Sequence, residues 1–319
     1  HMHGPAFAEA MLQLIKEGKF TEERVDKACY KILEAKFRLG LFESRYASAK
    51  DVKNKVFTKE HRQTALDIAR RSVVLLKNDN ILPIDTKKYK KILVTGPNAD
   101  NQSIMGDWVF EQPEKNVSTM LQGIKDEAKG SQVNYVDVGW NLRELDEQKI
   151  EVAINSAKSS DLAIVVVGED SFRQHWKEKT CGENRDRRDI TLWGKQNYLV
   201  ESIQKTGVPT IVILVNGRPL ATEWIAENVP AIIEAWEPGS MGGKAVGEIL
   251  FGKVNPSGKL PITIPRHVGQ INIVYNHKPS LFFHPHIDGD KSPLYSFGYG
   301  LSYTTFKYSD LKVSKTEYT

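Results

Sequence analysis

From residue 92 to residue 251, short runs of apolar residues alternate with longer stretches in which apolar positions recur every three or four residues. The short runs are rich in Val and Ile and are too brief for most helices, so they read as strands buried on both faces. This pattern predicts strands over 92–95, 133–136, 162–167, 210–215 and 231–236. Helices are predicted over 117–129, 147–159, 195–205, 220–227 and 242–251. Buried strands alternating with amphipathic helices imply an α/β fold, a three-layer sandwich around a mainly parallel sheet of roughly six strands. Right-handed crossovers then gather the strand exits at one edge. That edge collects Gly96-Pro97-Asn98-Ala99-Asp100, Gly168-Glu169-Asp170, Asn216-Gly217-Arg218-Pro219 and Glu237-Pro238-Gly239.

The flanking segments read differently. Residues 6–17 predict one helix, ended by Gly18, and a second starts at the N-cap Thr21 and closes at Gly40. Such a hairpin buries little by itself and needs something to dock on. Residues 43–57 are polar and read as a linker, and a helix over 58–72 leads into VVLLKN. After Asn255, PSGKLPITIP reads as an extended edge segment, because its prolines exclude a central strand. The final FKYSDLKVS alternates apolar and polar residues as a strand would. The opening His1-Met2 reads as a cloning remnant.

Composition narrows the classes. The 44 basic and 40 acidic side chains nearly cancel to a net charge of +4, and no basic run suggests nucleic acid. No apolar stretch reaches membrane-spanning length. Cys29 and Cys181 fit no metal spacing.

The predicted strand 162–167 is followed by about two dozen mostly polar residues, long for a loop in a compact domain. They carry Glu169, Asp170, Glu178, Glu183, Asp186 and Asp189 among Arg173, His175, Arg185, Arg187 and Arg188. Carboxylates leaving the carboxyl end of a buried parallel strand occupy the usual ligand crevice of an α/β sheet. Acid/base chemistry is the expectation. Glycoside hydrolysis, for instance, needs one protonated and one ionised carboxyl group, and spacing alone leaves open which two residues meet. Trp108 and Trp176 sit on strand-end loops, where an indole can pack or stack against a sugar ring.

Other constellations are weaker. The turn Glu237-Pro238-Gly239-Ser240-Met241-Gly242-Gly243-Lys244 lacks the first glycine of a phosphate-binding loop and has Ala245 where Ser or Thr belongs. It reads as a tight strand–helix connection. His284-Pro285-His286-Ile287-Asp288 offers two imidazoles and an acid on a loop, thin evidence for a metal. No nucleophile-elbow Gly-x-Ser-x-Gly is present.

Several segments together are similar to glycoside hydrolase family 3, the β-glucosidases and β-xylosidases. They are KFRLGLF, SVVLLKN with LPI, ILVTGPNAD with MGDW, IVVVGED with GENRDRRDITLWG, VILVNGRPL, EAWEPGSMGGKAVGEILFGKVNPSGKLPITIP and PLYSFGYGLSYTTF. The resemblance implies that residues 1–42 hold the last helices of a (β/α)8 barrel. Residues 58–303 would form the α/β sandwich, and 304–319 the start of a fibronectin-like domain. It further implies a retaining, exo-acting enzyme, a β-glucosidase first and a β-xylosidase as the alternative. The family's nucleophilic aspartate lies on the barrel, in a segment these residues do not contain. The family's general acid/base matches Glu183, with Glu169 as runner-up, held back by its short tether at the sheet. Trp108 matches an aromatic that walls the leaving-group subsite in plant members, and Asp107 and Arg173 are placed with it as substrate-binding residues.

The implied partners are a β-linked oligosaccharide or glycoside and the protein's own barrel, with no cofactor, metal, nucleic acid or membrane. The implied compartment is periplasmic or extracellular. Without the barrel, the expectation is an inactive chain. Two alternatives are a non-catalytic sugar-binding module and a nucleotide binder at the glycine-rich turns.

Overall fold

A computed structural model describes residues 5–276, 286–315 and 317. The chain forms two compact units, His1–Thr58 and Lys59–Thr319.

The first unit holds α1 (Ala6–Lys16), α2 (Glu22–Arg38) and α3 (Ala49–Lys55). Thr21 caps α2, its hydroxyl accepting the Arg24 N–H at 3.3 Å. Glu22 and Glu23 in the first turn and Lys36 and Arg38 in the last complement the helix dipole. No side chain of α1 or α2 is buried, and Tyr30, Ile32, Leu33 and Phe37 of α2 stay exposed. The stretch read as linker contains the short helix α3, started at Ser48 with Asp51 on its positive end.

The second unit begins with α4 (Lys59–Ser72), which leads into β1 (Val74–Asn78). Five strands follow: β2 (Lys91–Thr95), β3 (Gln132–Val136), β4 (Leu162–Gly168), β5 (Thr210–Val215) and β6 (Ala231–Glu234). They form one sheet in the order β1-β6-β5-β4-β2-β3. Every neighbouring pair is parallel except β1 with β6. The expected sandwich is therefore present, with one antiparallel edge strand that periodicity did not reveal.

The pleat sends alternate side chains into two cores. Ile92, Val94, Ile164, Val166, Ile211, Ile213 and Ile233 pack on one side. That face is covered by α5 (Met120–Glu127) and α9 (Gly242–Leu250), through Met120, Ile124, Val246 and Ile249. Leu93, Val165, Val167, Val212, Leu214 and Ile232 point the other way. Over them lie α6 (Glu147–Ala157), α7 (Gln196–Lys205) and α8 (Glu223–Asn228), through Ile150, Ile154, Leu199, Ile203 and Ile225. α4 adds an outer layer, where Leu66 and Ala69 meet Ala245 of α9.

Residues 256–265 form no sheet strand, but they pair locally. The Leu260 N–H donates to the Tyr299 carbonyl at 2.8 Å, and Ile264 bridges Tyr295. The strand expected in FKYSDLKVS does not form among the described residues. Phe306, Tyr308 and Leu311 are all strongly exposed, and alternation cannot make a strand without partner backbone.

The sheet order fixes where a site can lie. From β2 the chain goes outward to β3, then returns to the opposite side for β4, β5 and β6. The carboxyl ends of β2 and β4 therefore flank the topological switch point, the usual ligand crevice of such sheets.

Candidate functional site

Two strand exits build the switch point. After β2, Asn98 turns inward and its Nδ2 donates to the Glu169 carbonyl at 2.9 Å and to the Ser103 hydroxyl at 3.0 Å. At the end of β4, Gly168 adopts φ 152°, and a Cβ there would lie 1.8 Å from the Val215 carbonyl oxygen. Only glycine allows this approach, and it steers Glu169 back into the protein.

Glu169 is a buried ion-pair centre. Its side chain is sealed from solvent, with Arg187 Nη1 at 2.9 Å and Arg218 Nε at 3.2 Å. Burial raises its pKa, and Arg218 and Arg187 work against that rise. A carboxylate so enclosed holds the base of the loop.

The loop beyond it is closed on itself. The Asp170 N–H donates to the Thr180 hydroxyl at 3.0 Å, and the Thr180 N–H returns to the Asp170 carbonyl at 2.7 Å. Asp170 also meets His175 Nδ1 at 2.5 Å, and Trp140 stacks on that imidazole at 4.0 Å. The 3-10 turn Arg173–His175 projects from this base.

The far arm of the loop hangs on Asp107, from the turn after β2. Lys179 Nζ donates to Asp107 Oδ2 at 2.7 Å, and the Glu183 N–H donates to the same oxygen at 2.8 Å. Oδ1 accepts the Trp108 N–H at 2.8 Å and Arg173 Nη1 at 3.3 Å. Burial opposes the charge on Asp107. The Lys179 hydrogen bond and the N–H groups of Glu183 and Trp108 outweigh it, holding the carboxyl well below the usual range. Both oxygens are hydrogen-bonded within the protein, so Asp107 ties the loop after β4 to the turn after β2.

Glu183 itself reaches outward. Its side chain is 41% exposed, against 0% for Glu169, and Oε2 lies 3.2 Å from Arg173 Nη1. The Arg173 guanidinium rests 3.7 Å above the exposed Trp108 ring. Glu183, Arg173 and Trp108 thus form one rim, with a carboxylate, a cation and an indole side by side. An open carboxylate held by its backbone can exchange protons with a bound molecule, and the indole offers a flat apolar face beside it.

Several members of the site were not singled out for chemistry by the sequence. Lys179 sits in an ordinary charged run yet is fully buried. Glu237, at the exit of β6, accepts a short hydrogen bond from the Ser171 hydroxyl. Burial raises its pKa, and the charges of Glu169, Asp107 and Asp170 add to the rise, against the Ser171 hydrogen bond. The Cys181 thiol, 3.9 Å from Glu237 Oε1, is pushed up by burial and by Glu169 and Glu237. Strand-exit position alone could have pointed to Glu237 and Arg218.

The glycine-rich turn after β6 is packed tightly. A Cβ on Gly243 would lie 1.9 Å from the Thr119 carbonyl oxygen, so this glycine packs against the backbone that leads into α5. His286 meets His267 edge-on at 4.8 Å, while His284 and Pro285 lie outside the described residues. No cluster of metal-ligating side chains occurs among the described residues.

Residues 73–303 match the model of the glycosyl hydrolase family 3 C-terminal domain. A β-xylosidase of Formosa agariphila is 40% identical over 92% of this chain and 41% of its own length. A periplasmic β-glucosidase of Salmonella typhimurium is 36% identical over 94% of this chain and 43% of its own. Among solved structures, a β-glucosidase of saponin metabolism from intestinal bacteria superposes with a TM-score of 0.84 at 32% identity, covering 95% of this chain and 46% of that one. The β-glucosidase of Listeria innocua in complex with glucose gives 0.83 at 31% identity, covering 96% and 42%. The chain therefore spans less than half the length of these relatives.

Proposed function

We propose that this chain, which belongs to glycosyl hydrolase family 3 and carries its C-terminal domain, supplies the general acid/base of a retaining, exo-acting β-glycosidase. The observation that carries this reading is the placement of Glu183. It is the carboxylate hung by its own N–H from Asp107 at the switch-point rim, beside an exposed indole.

In the first step the Glu183 carboxyl group gives its proton to the glycosidic oxygen as the bond to the anomeric carbon breaks. An aspartate on a barrel domain, outside this chain, attacks that carbon and forms a glycosyl ester. In the second step the Glu183 carboxylate takes a proton from water, whose oxygen displaces the aspartate. The two carboxyl groups must then stand about 5–5.5 Å apart, as retention requires. Trp108 would wall the leaving-group side. The substrate is a β-linked oligosaccharide or glycoside with a terminal glucose. A terminal xylose is the second reading, favoured by the 40% identity to a β-xylosidase. The name of the Salmonella relative supports a periplasmic or extracellular setting. Among the described residues no helix is long and apolar enough to cross a membrane.

Glu183→Ala in the complete enzyme tests the assignment. Turnover of substrates with poor leaving groups should fall by about 10²–10⁴-fold, the range for lost general acid/base catalysis. Azide should restore turnover of activated aryl glycosides, because a small anion can attack the glycosyl ester without base assistance. Wild-type turnover in this variant would sink the assignment. The 319-residue chain alone is expected to hydrolyse nothing.

A further inference from the structure

Lys179 is the bulkiest fully buried side chain among the described residues. An ammonium withdrawn from water costs several kcal/mol unless a partner compensates it, so a buried lysine in a loop needs a reason. Its partner is Asp107 Oδ2 at 2.7 Å, and its Nζ lies 4.9 Å from the centre of the Trp176 ring. The oxygen that takes Lys179 also takes the Glu183 N–H at 2.8 Å. The other oxygen holds the Trp108 N–H and Arg173 Nη1, and that same Nη1 reaches the Glu183 carboxylate. Gly182 makes room for the arrangement. It stands at φ 87°, and a Cβ there would lie 2.6 Å from Asp107 Oδ2 and 3.1 Å from Lys179 Nζ.

We infer that Asp107 and the fully buried Lys179 form an ionic latch that positions Glu183 for proton transfer. They are positioning residues, since Asp107 receives the Glu183 N–H and Lys179 pairs with Asp107. The inference rests on the proposed role of Glu183. The logic is one of leverage. An exposed turn bearing a single acid would sample many backbone positions, and a displacement of about 1 Å can cost roughly 10²-fold in rate. A carboxylate that is fixed by a buried cation and also accepts the acid's own amide N–H removes that freedom without touching the acid's carboxyl group.

The latch predicts a pattern that a general loss of structure would not produce. In the complete enzyme, Lys179→Met should lower kcat for substrates with poor leaving groups by about 10²-fold and leave KM within about twofold. The kcat/KM of activated aryl glycosides, which reports the first step and needs little protonation, should lose less than about fivefold. Asp107→Asn keeps the size and an acceptor oxygen but leaves the buried Lys179 ammonium without its counter-charge, so it should show the same pattern at least as strongly. In amide hydrogen exchange, the Glu183 N–H of either variant should exchange at least about tenfold faster, with the strands of the sheet unchanged.

Equal losses for both substrate classes, or an unchanged Glu183 exchange rate in a variant that still melts cooperatively, would overturn the latch. Glu183→Ala separates the two ideas. If it is fully active, the acid/base assignment fails and takes the positioning role with it. If it is crippled while Lys179→Met shows no leaving-group bias, only the latch fails. Should Lys179→Met not fold, Asp107→Asn carries the same comparison.

Discussion

Arg187 Nη1 lies 2.9 Å from Glu169 Oε1, and both side chains are all but sealed from water. Arg187 belongs to the descending arm of the long loop and Glu169 to the exit of β4. The pair therefore pins the end of the loop to its beginning. Removing one partner from a buried ion pair leaves a charge uncompensated and costs about 3–5 kcal/mol. Arg218 still faces Glu169 at 3.2 Å, so Arg187→Met should fall at the low end, about 3 kcal/mol. Denaturant titration measures this, and a midpoint equal to wild type would contradict the account.

Glu234 predicts a pH dependence of stability. It ends β6, is buried, and accepts the Trp236 N–H at 2.9 Å and Asn216 Nδ2 at 3.2 Å. Burial pushes its pKa up to about 8 from an ordinary 4.5, and the charge of Glu169 adds to burial, against the two hydrogen bonds. A raised acid binds its proton more tightly in the folded chain. Its contribution is therefore fully present below about pH 4.5, declines as pH rises, and is lost above about pH 8. Glu234→Gln should flatten that slope and raise stability near pH 9 relative to wild type. Unfolding free energies at about pH 5 and about pH 9 decide it, and parallel pH curves for the two proteins would refute the protonated state.

The contact between α5 and α9 leaves no space for a methyl group. Gly243 Cβ would stand 1.9 Å from the Thr119 carbonyl oxygen, and Gly247 Cβ 2.3 Å from that of Gly123. Backbone cannot yield as a flexible side chain does. Gly243→Ala should destabilise the chain by about 1–3 kcal/mol or more, the usual cost of overpacking. A thermal melt at or above the wild-type temperature would mean that the helices separate freely.

Asn98 ties the two strand exits at the switch point. Its amide bonds to the Glu169 carbonyl and the Ser103 hydroxyl are wholly buried. Asn98→Ala would leave those acceptors without a donor, at about 1–3 kcal/mol. Hydrogen exchange should locate the loss at residues 96–104 and 168–170, and protection there equal to wild type would count against it.

What the sequence determined is what repeats along it. Val and Ile runs spaced by amphipathic helices specify a parallel α/β sheet, because that pattern can be buried only between two layers of helices. The long polar loop after β4 was legible as the candidate site, because strand ends at a switch point expose backbone and side chains to a ligand. Glu183 was singled out by family likeness, since chain spacing treats six loop carboxylates alike. Tertiary structure separated them. Glu169 turns inward because Gly168 forces it there between Arg187 and Arg218, while Glu183 reaches outward because Asp107 catches its amide. Lys179 looked like any solvated lysine until Asp107, 72 residues away in sequence, supplied its counter-charge. The antiparallel direction of β1 and the unformed strand in FKYSDLKVS share that cause. Periodicity reports which side of an element is apolar, and only the fold decides what lies opposite it.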